Sequence, residues 1–196
     1  MGKVFTQFTM SLDGFIAGPN DEIAQIFRWY RSGYTVFPAP GTRMVFKIAR
    51  ASAVLLGEEW GELGAIVTGR RDFDVSDAYG GKPPLGVPLF VVTHRVPQEW
   101  VYEGSPFTFV TDGVASALEK AKAVAGDKTI SVGGTQIVQQ CLAAGLLDEI
   151  RIDLVPMLLG AGIRLFDNLG ANPIELERLQ VVETPDVTHL RFRVVK

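Results

Sequence analysis

Cysteine is nearly absent: Cys141 stands alone in 196 residues, so no internal disulfide can staple the fold. Histidine is almost as scarce, and His94 and His189 are too few for an ordinary zinc site, so no metal is expected. No apolar run approaches the ~18 residues of a membrane span, and the N-terminus opens on a strand-like run instead of a basic and apolar signal sequence. Basic residues never cluster; 19 Lys and Arg are interspersed with 22 Asp and Glu for a net charge of −3, which gives nucleic acid nothing to track. No internal repeat and no low-complexity tail occurs. These absences point to a cytoplasmic protein whose partner is a small molecule.

What is abundant is apolar surface. Hydrophobic residues make up 47% of the chain, enough for a sizeable core in one domain over residues 1–196. The pattern predicts a strand over Lys3–Met10, closed by Ser11-Leu12-Asp13-Gly14, and then an apolar loop from Phe15 to Asn20 punctuated by Gly18 and Pro19. Asn20 is positioned to cap a helix from Asp21 to about Arg31, ended by Gly33, with Ile23, Ile26, Phe27 and Tyr30 on one face. Residues 34–47 read as an extended excursion. A helix follows from Ala51 or Ser52 to Leu63, with Glu58 and Glu59 on an acidic outer face.

Three strand ends then carry suggestive chemistry. Ala65-Ile66-Val67-Thr68 meets Gly69-Arg70-Arg71, and guanidinium groups fork well onto phosphate oxygens; a solvated basic helix start reads equally well. Leu89-Phe90-Val91-Val92 is a fully apolar strand ending in Thr93-His94-Arg95. After a strand at Phe107–Val110 and a helix capped by Thr111 or Asp112, with Val114, Ala117, Leu118, Ala121 and Val124 inward, comes Thr129-Ile130-Ser131-Val132. That strand breaks at Gly133 and Gly134 into a helix opening with Thr135 and Gln136. Unpaired N–H groups at a helix start, unobstructed by Cβ atoms, suit an anion such as a pyrophosphate, although a double glycine also serves a plain tight turn. Cys141 falls on the apolar face of this helix, a buried residue and not a nucleophile.

The last third changes character. Glu149–Met157 reads as a long strand with Ile150, Ile152 and Leu154 alternating against Arg151 and Asp153, and Val187–Val195 provides a final strand that pairs antiparallel with it. Leu165-Phe166 reads as a plug for the core. The whole is a three-layer α/β domain with a mainly parallel sheet and an antiparallel C-terminal edge.

Five stretches in this order, Ser11–Ala17, Val67–Arg71, Val91–Arg95, Val132–Gln136 and Leu154–Gly160, resemble dihydrofolate-reductase-like proteins. More narrowly, the chain is similar to the C-terminal reductase domain of the bifunctional riboflavin-biosynthesis deaminase-reductase. The resemblance implies NADPH across the strand ends. Val132, Gly133, Gly134, Thr135 and Gln136 would cradle its pyrophosphate, Gly69, Arg70 and Arg71 the phosphate and adenosine side, and Thr93, His94 and Arg95 the 2′-phosphate. Ile16 and Ala17 would lie by the nicotinamide under a mobile loop, and Phe15, Trp29 and Tyr30 are the candidate substrate walls. Asp13, where the first strand meets that loop, is the candidate for proton relay or substrate anchoring, with a local turn role as its alternative. The resemblance also implies a homodimer. It departs from the family in three places: no acid on the first helix suits folate, Asp72 stands where a threonine usually faces phosphate and is expected to turn outward or bond local backbone, and Val138 replaces an aromatic residue. No distinct basic cluster serves a substrate phosphate. An FMN site on the same cradle and a nucleotide-binding protein without turnover are the rival readings.

Overall fold

The computed structural model describes residues 2–196. In chain order the elements are β1 (Val4–Ser11), β2 (Phe15–Ala17), a 3-10 turn over Ile26–Arg31, the hairpin strands β3 (Thr35–Pro38) and β4 (Val45–Ile48), α1 (Arg50–Gly61), β5 (Leu63–Gly69), α2 (Arg70–Val75) and a short α3 (Ala78–Gly81). They continue with β6 (Leu89–Val92), β7 (Phe107–Val110), α4 (Val114–Ala125), β8 (Thr129–Val132), α5 (Thr135–Ala143), β9 (Glu149–Val155), β10 (Ile163–Arg164), β11 (Leu176–Glu183) and β12 (Thr188–Val194). Eight strands make one sheet in the order β11-β12-β9-β1-β8-β5-β6-β7. From β9 to β7 every pairing is parallel, whereas β12 runs against β9, the antiparallel edge the sequence predicts, and β11, a strand the sequence reading does not predict, runs against β12.

Helices cover both faces, because strands buried on two sides need two apolar layers. Against α4 and α5 pack Val4, Val67, Ile130, Ile150 and Ile152, with Cys141 fully buried among them. Across the sheet, Ile26, Trp29, Ile48, Leu56, Val155 and Val187 form a second cluster beneath α1 and the hairpin.

That second face is also the charged one. In register across β1, β9 and β12 stand Gln7, Arg151 and Arg191, and then Thr9, Asp153 and His189. Helix α1 sets Glu59 and Ser52, two turns apart, onto these rows. Glu59 is only 3% exposed and accepts from Arg191 at 2.5 Å and from Gln7 at 3.0 Å, with Arg151 at 3.5 Å. Ser52 Oγ lies 2.8 Å from His189 Nε2, whose Nδ1 lies 2.6 Å from Asp153. The expected acidic outer face of α1 is therefore half wrong: Glu59 turns inward because the sheet offers it two guanidiniums. Strand β9 is buried on both sides, its charges included.

The predicted helix from Asp21 to Arg31 shrinks to the single 3-10 turn. Asp21 adopts a left-handed φ of 63°, and the Glu22 carboxylate accepts from the Asn20 N–H and amide at 2.8 and 2.9 Å, so Asn20 caps nothing. Ile23, expected on the packed face, is exposed. At α4 the cap is Gly113, not Thr111 or Asp112, and Val124 faces solvent while Ala125 is buried. Leu165 plugs the core as expected, but Phe166 does not.

Candidate functional site

The three strand ends come together. β8, β5 and β6 are parallel neighbours, with Val67 opposite Val132 and Gly69 opposite Val92, so Gly133, Arg70 and Thr93 each sit one residue beyond adjacent strand tips. The Gly133 N–H donates to the Val67 carbonyl at 2.8 Å. Gly134 holds φ at 78°, a conformation that costs an L side chain about 1–2 kcal/mol, and a Cβ there would lie 3.4 Å from the Gly69 nitrogen. Among the described residues no side chain caps α5, so its opening N–H groups are left for another partner. Val132 turns its side chain into the core and leaves only its backbone at the strand end.

Asp72 corrects an expectation. It does not turn outward: its Oδ2 would stand 3.5 Å from a Cβ on Gly133 and accepts from Thr68 Oγ1 at 2.6 Å and from the Tyr79 hydroxyl at 2.5 Å. Burial, and then the Asp72 charge, push the Tyr79 hydroxyl well above its usual range, so it stays a donor. Two hydroxyl donors thus screen the carboxylate where it borders the glycine turn.

Each arginine is tethered. Arg70 Nε binds Asp74 at 2.7 Å and its Nη1 donates to the Arg95 carbonyl at 3.0 Å, linking the Gly69–Arg71 junction to the Thr93–Arg95 one. Arg71 Nη2 donates to both Asp21 oxygens at 3.0 Å, joining the loop after β2 to the start of α2. Thr93 Oγ1 donates to the Arg95 carbonyl and accepts from its N–H, a local turn, while His94 and Arg95 are exposed. Exposed pairs such as Arg71–Asp21 contribute roughly 0–1 kcal/mol, so an anion can displace them.

Asp13 is a clamp. It accepts from Ser11 Oγ at 2.6 Å and from the N–H groups of Leu159 and Gly160 at 3.1 and 2.7 Å, tying the end of β1 to the loop after β9. The Ser11 hydroxyl first, with those N–H groups behind it, holds its carboxyl down at about 2. A group so held has no proton to give near neutrality. Ile16 and Ala17 lie in β2 against β10, and Phe15 is buried with the Arg164 guanidinium 4.2 Å above its ring.

Trp29 and Tyr30 do line a cavity. It measures about 1180 Å³ and is walled by Phe27, Trp29, Tyr30, Phe46, Trp60 and Met157; Phe15 is not part of it. Sequence reasoning missed Phe46 and Trp60. The first belongs to the hairpin, whose apolar Met44-Val45-Phe46 run was its one signal; the second reads only as a helix residue until the hairpin folds beside it.

A model of the RibD C-terminal domain family matches residues 2–190. The chain belongs to that family. The RibD-type fold recurs in a protein of Shewanella sp. PV-4 ascribed to riboflavin biosynthesis, at a TM-score of 0.71 and 22% identity over all of both chains. RibD of Acinetobacter baumannii superposes at 0.68 with 15% identity, this chain matching 58% of its length. Dihydrofolate reductase from Enterococcus faecalis, complexed with NADP(H), gives 0.62 at 11% identity over 100% and 98% of the two chains. Among curated sequences, the uncharacterized protein YyaP of Bacillus subtilis is 23% identical over 173 residues, 84% of this chain and 80% of its own. A reductase-like family of oxidoreductases is what these comparisons establish. Among the described residues no group of three or more His, Cys, Asp or Glu is arranged for a metal, and no helix is long and apolar enough to cross a membrane.

Proposed function

We propose that this RibD-type domain is an NADPH-dependent reductase, passing hydride to a small carbonyl, imine or conjugated acceptor. The observation that carries the reading is the adjacency of Gly133–Gly134, Gly69–Arg71 and Thr93–Arg95 on three neighbouring strand tips. The residues fit such a cofactor: the side-chain-free, uncapped start of α5 suits a pyrophosphate, and Arg71, His94 and Arg95 are exposed and basic where an additional phosphate would lie. When bound, NADPH supplies the hydride.

The chain supplies position and exclusion. Gly133 and Gly134 let backbone approach an anion, Thr68 and Tyr79 keep Asp72 from opposing it, and Arg71 trades Asp21 for a phosphate oxygen. Asp13 braces the loop after β9, whose Met157 lines the cavity. Trp29 is fixed by its Nε1 donating to Thr9 at 3.2 Å, and Tyr30 stacks on it at 4.1 Å, so the acceptor meets preset walls. In this reading Asp13 positions the wall and the proton comes from another source. The chain acts as one domain, as a homodimer in the cytoplasm.

NADPH is expected to raise thermal stability by about 2.7 kcal/mol at a hundredfold excess over Kd, and to be oxidised when a suitable acceptor is added. Stabilisation without oxidation across a broad acceptor panel supports a binding protein instead, and a yellow purified protein with FMN on the same cradle would replace the nicotinamide reading. No stabilisation by either nucleotide refutes the proposal.

A further inference from the structure

The cavity beside the 3-10 turn has a composition that selects among acceptors. Phe27, Tyr30 and Phe46 form a near-parallel pile, with centroids 5.3 and 4.3 Å apart and planes 13° and 22° from parallel. Trp60 closes it at 6.1 Å from Phe46, nearly edge-on. Such a wall offers π faces and few hydrogen bonds, which favours flat conjugated rings over a polyhydroxylated sugar, whose hydroxyls would lose water without replacement. Of the polar lining residues, Ser32 and Asp186 already satisfy each other at 2.8 Å.

Four polar side chains are left over, Gln25 at the start of the 3-10 turn and three on the turn itself. The Tyr30 hydroxyl has no hydrogen-bond partner among the described residues although the ring is half-buried. Arg28 and Arg31 line the same cavity, are exposed, and enter no ion pair or hydrogen bond among the described residues. Spaced three apart in a 3-10 turn, they lie on one side of it. The only carboxylate among the lining residues is Asp186, so the lining is cationic by one charge.

We propose that the acceptor is a flat, conjugated aromatic acid carrying a ring carbonyl: its rings extend the Phe27–Tyr30–Phe46 pile, its carbonyl accepts from the Tyr30 hydroxyl, and its anionic substituent meets Arg28 and Arg31. The inference deepens the reductase reading by naming the acceptor class, and rests on it for the word acceptor; the binding itself stands on the cavity. Arginine suits a planar carboxylate by its two-pronged geometry.

The test uses the full chain and its tryptophan fluorescence, since Trp29 and Trp60 line the cavity and Trp100 lies in a separate cluster. Anthraquinone-2-carboxylate is expected to quench, and Trp60→Phe to reduce the amplitude. The double variant Arg28→Gln/Arg31→Gln should raise its Kd about tenfold while leaving binding of a neutral hydroxymethyl analogue unchanged. Tyr30→Phe should weaken the quinone several-fold and leave anthracene-2-carboxylate, which lacks the carbonyl, within twofold. Competition by ribose 5-phosphate at concentrations below the quinone's Kd overturns the proposal, as does a Kd indifferent to loss of both arginines, or a quench indifferent to Trp60→Phe. A parallel NADPH melting series separates the two ideas. Retained acid binding without an NADPH shift sinks the reductase reading alone, and an NADPH shift without acid binding sinks this one alone.

Discussion

Replacing Glu59 by leucine should be among the most damaging single changes away from the strand tips. The carboxylate is 3% exposed and serves Arg191, Arg151 and Gln7 at 2.5, 3.5 and 3.0 Å. Burial pushes its pKa up even against the two guanidiniums, so its charge is held at a cost and its worth lies in accepting hydrogen bonds. Leucine removes the acceptor and leaves two largely buried guanidiniums without it; the Nε atoms of both already lack partners among the described residues. Breaking a buried pair from one side costs about 3–5 kcal/mol. For a chain of this length that is roughly 6–20 °C in Tm, at about 2–4 °C per kcal/mol. With a urea m-value near 3 kcal/mol/M the midpoint falls by about 1–2 M. Glutamine keeps one acceptor oxygen but loses the counter-charge and turns an amide N–H2 toward donors, so Glu59→Gln should cost about 1.5–3 kcal/mol, less than leucine. The triple change Glu59→Leu, Arg151→Met, Arg191→Leu should recover most of the loss, because apolar replacement of a whole buried ionic cluster is commonly neutral or better. Urea unfolding followed by circular dichroism, wild type in parallel, measures all three. A wild-type midpoint for Glu59→Leu, or a triple variant as unstable as the single one, would refute the reasoning.

The glycine turn gives a paired test. Gly134→Ala should lose about 1–2 kcal/mol of stability to its left-handed φ of 78°. Gly133→Ala, whose Cβ would meet Thr68 Oγ1 at 3.2 Å, should keep most of the stability and lose nucleotide-induced stabilisation by calorimetry. Stability should also fall in acid. Asp13 is lowered to about 2, and Glu149, despite the burial that raises it, is lowered by hydrogen bonds from Lys3 and Arg151, so both contribute fully above their unfolded values of 3.8 and 4.5. That contribution is lost as pH drops through the folded values, and Asp13→Asn should flatten the part of the urea-midpoint profile between about pH 4 and 2. Cys141, buried with its thiol pushed up to about 12, should resist iodoacetamide at pH 8 in the native state and react in urea, as mass spectrometry would record.

Periodicity and punctuation were enough for the parallel strands and the helices between them, though not for β11 or the β3–β4 hairpin. The apolar strands Ala65–Thr68, Leu89–Val92 and Thr129–Val132, with glycine or a basic tripeptide after each, announced three junctions, because burial on both faces leaves only the tips free for polar residues. Strand neighbours were not legible: that β8, β5 and β6 lie side by side, bringing Gly133, Arg70 and Thr93 onto one rim, depends on pairings between residues up to 66 positions apart. Polar residues misled for the same reason. A local pattern assigns Glu59 to solvent and Asn20 to a helix cap, and only the folded sheet reveals Arg151 and Arg191 waiting beneath α1, or Glu22 already bonded to Asn20. The aromatic wall is tertiary too, since Tyr30 and Phe46 meet across a turn and a hairpin. Apolar spacing along the chain determined the layers, since every core-facing residue must be buried wherever its strand lies. Packing between distant segments decided which charges were paired and which were left facing a ligand, since a charge takes its partner from across the fold.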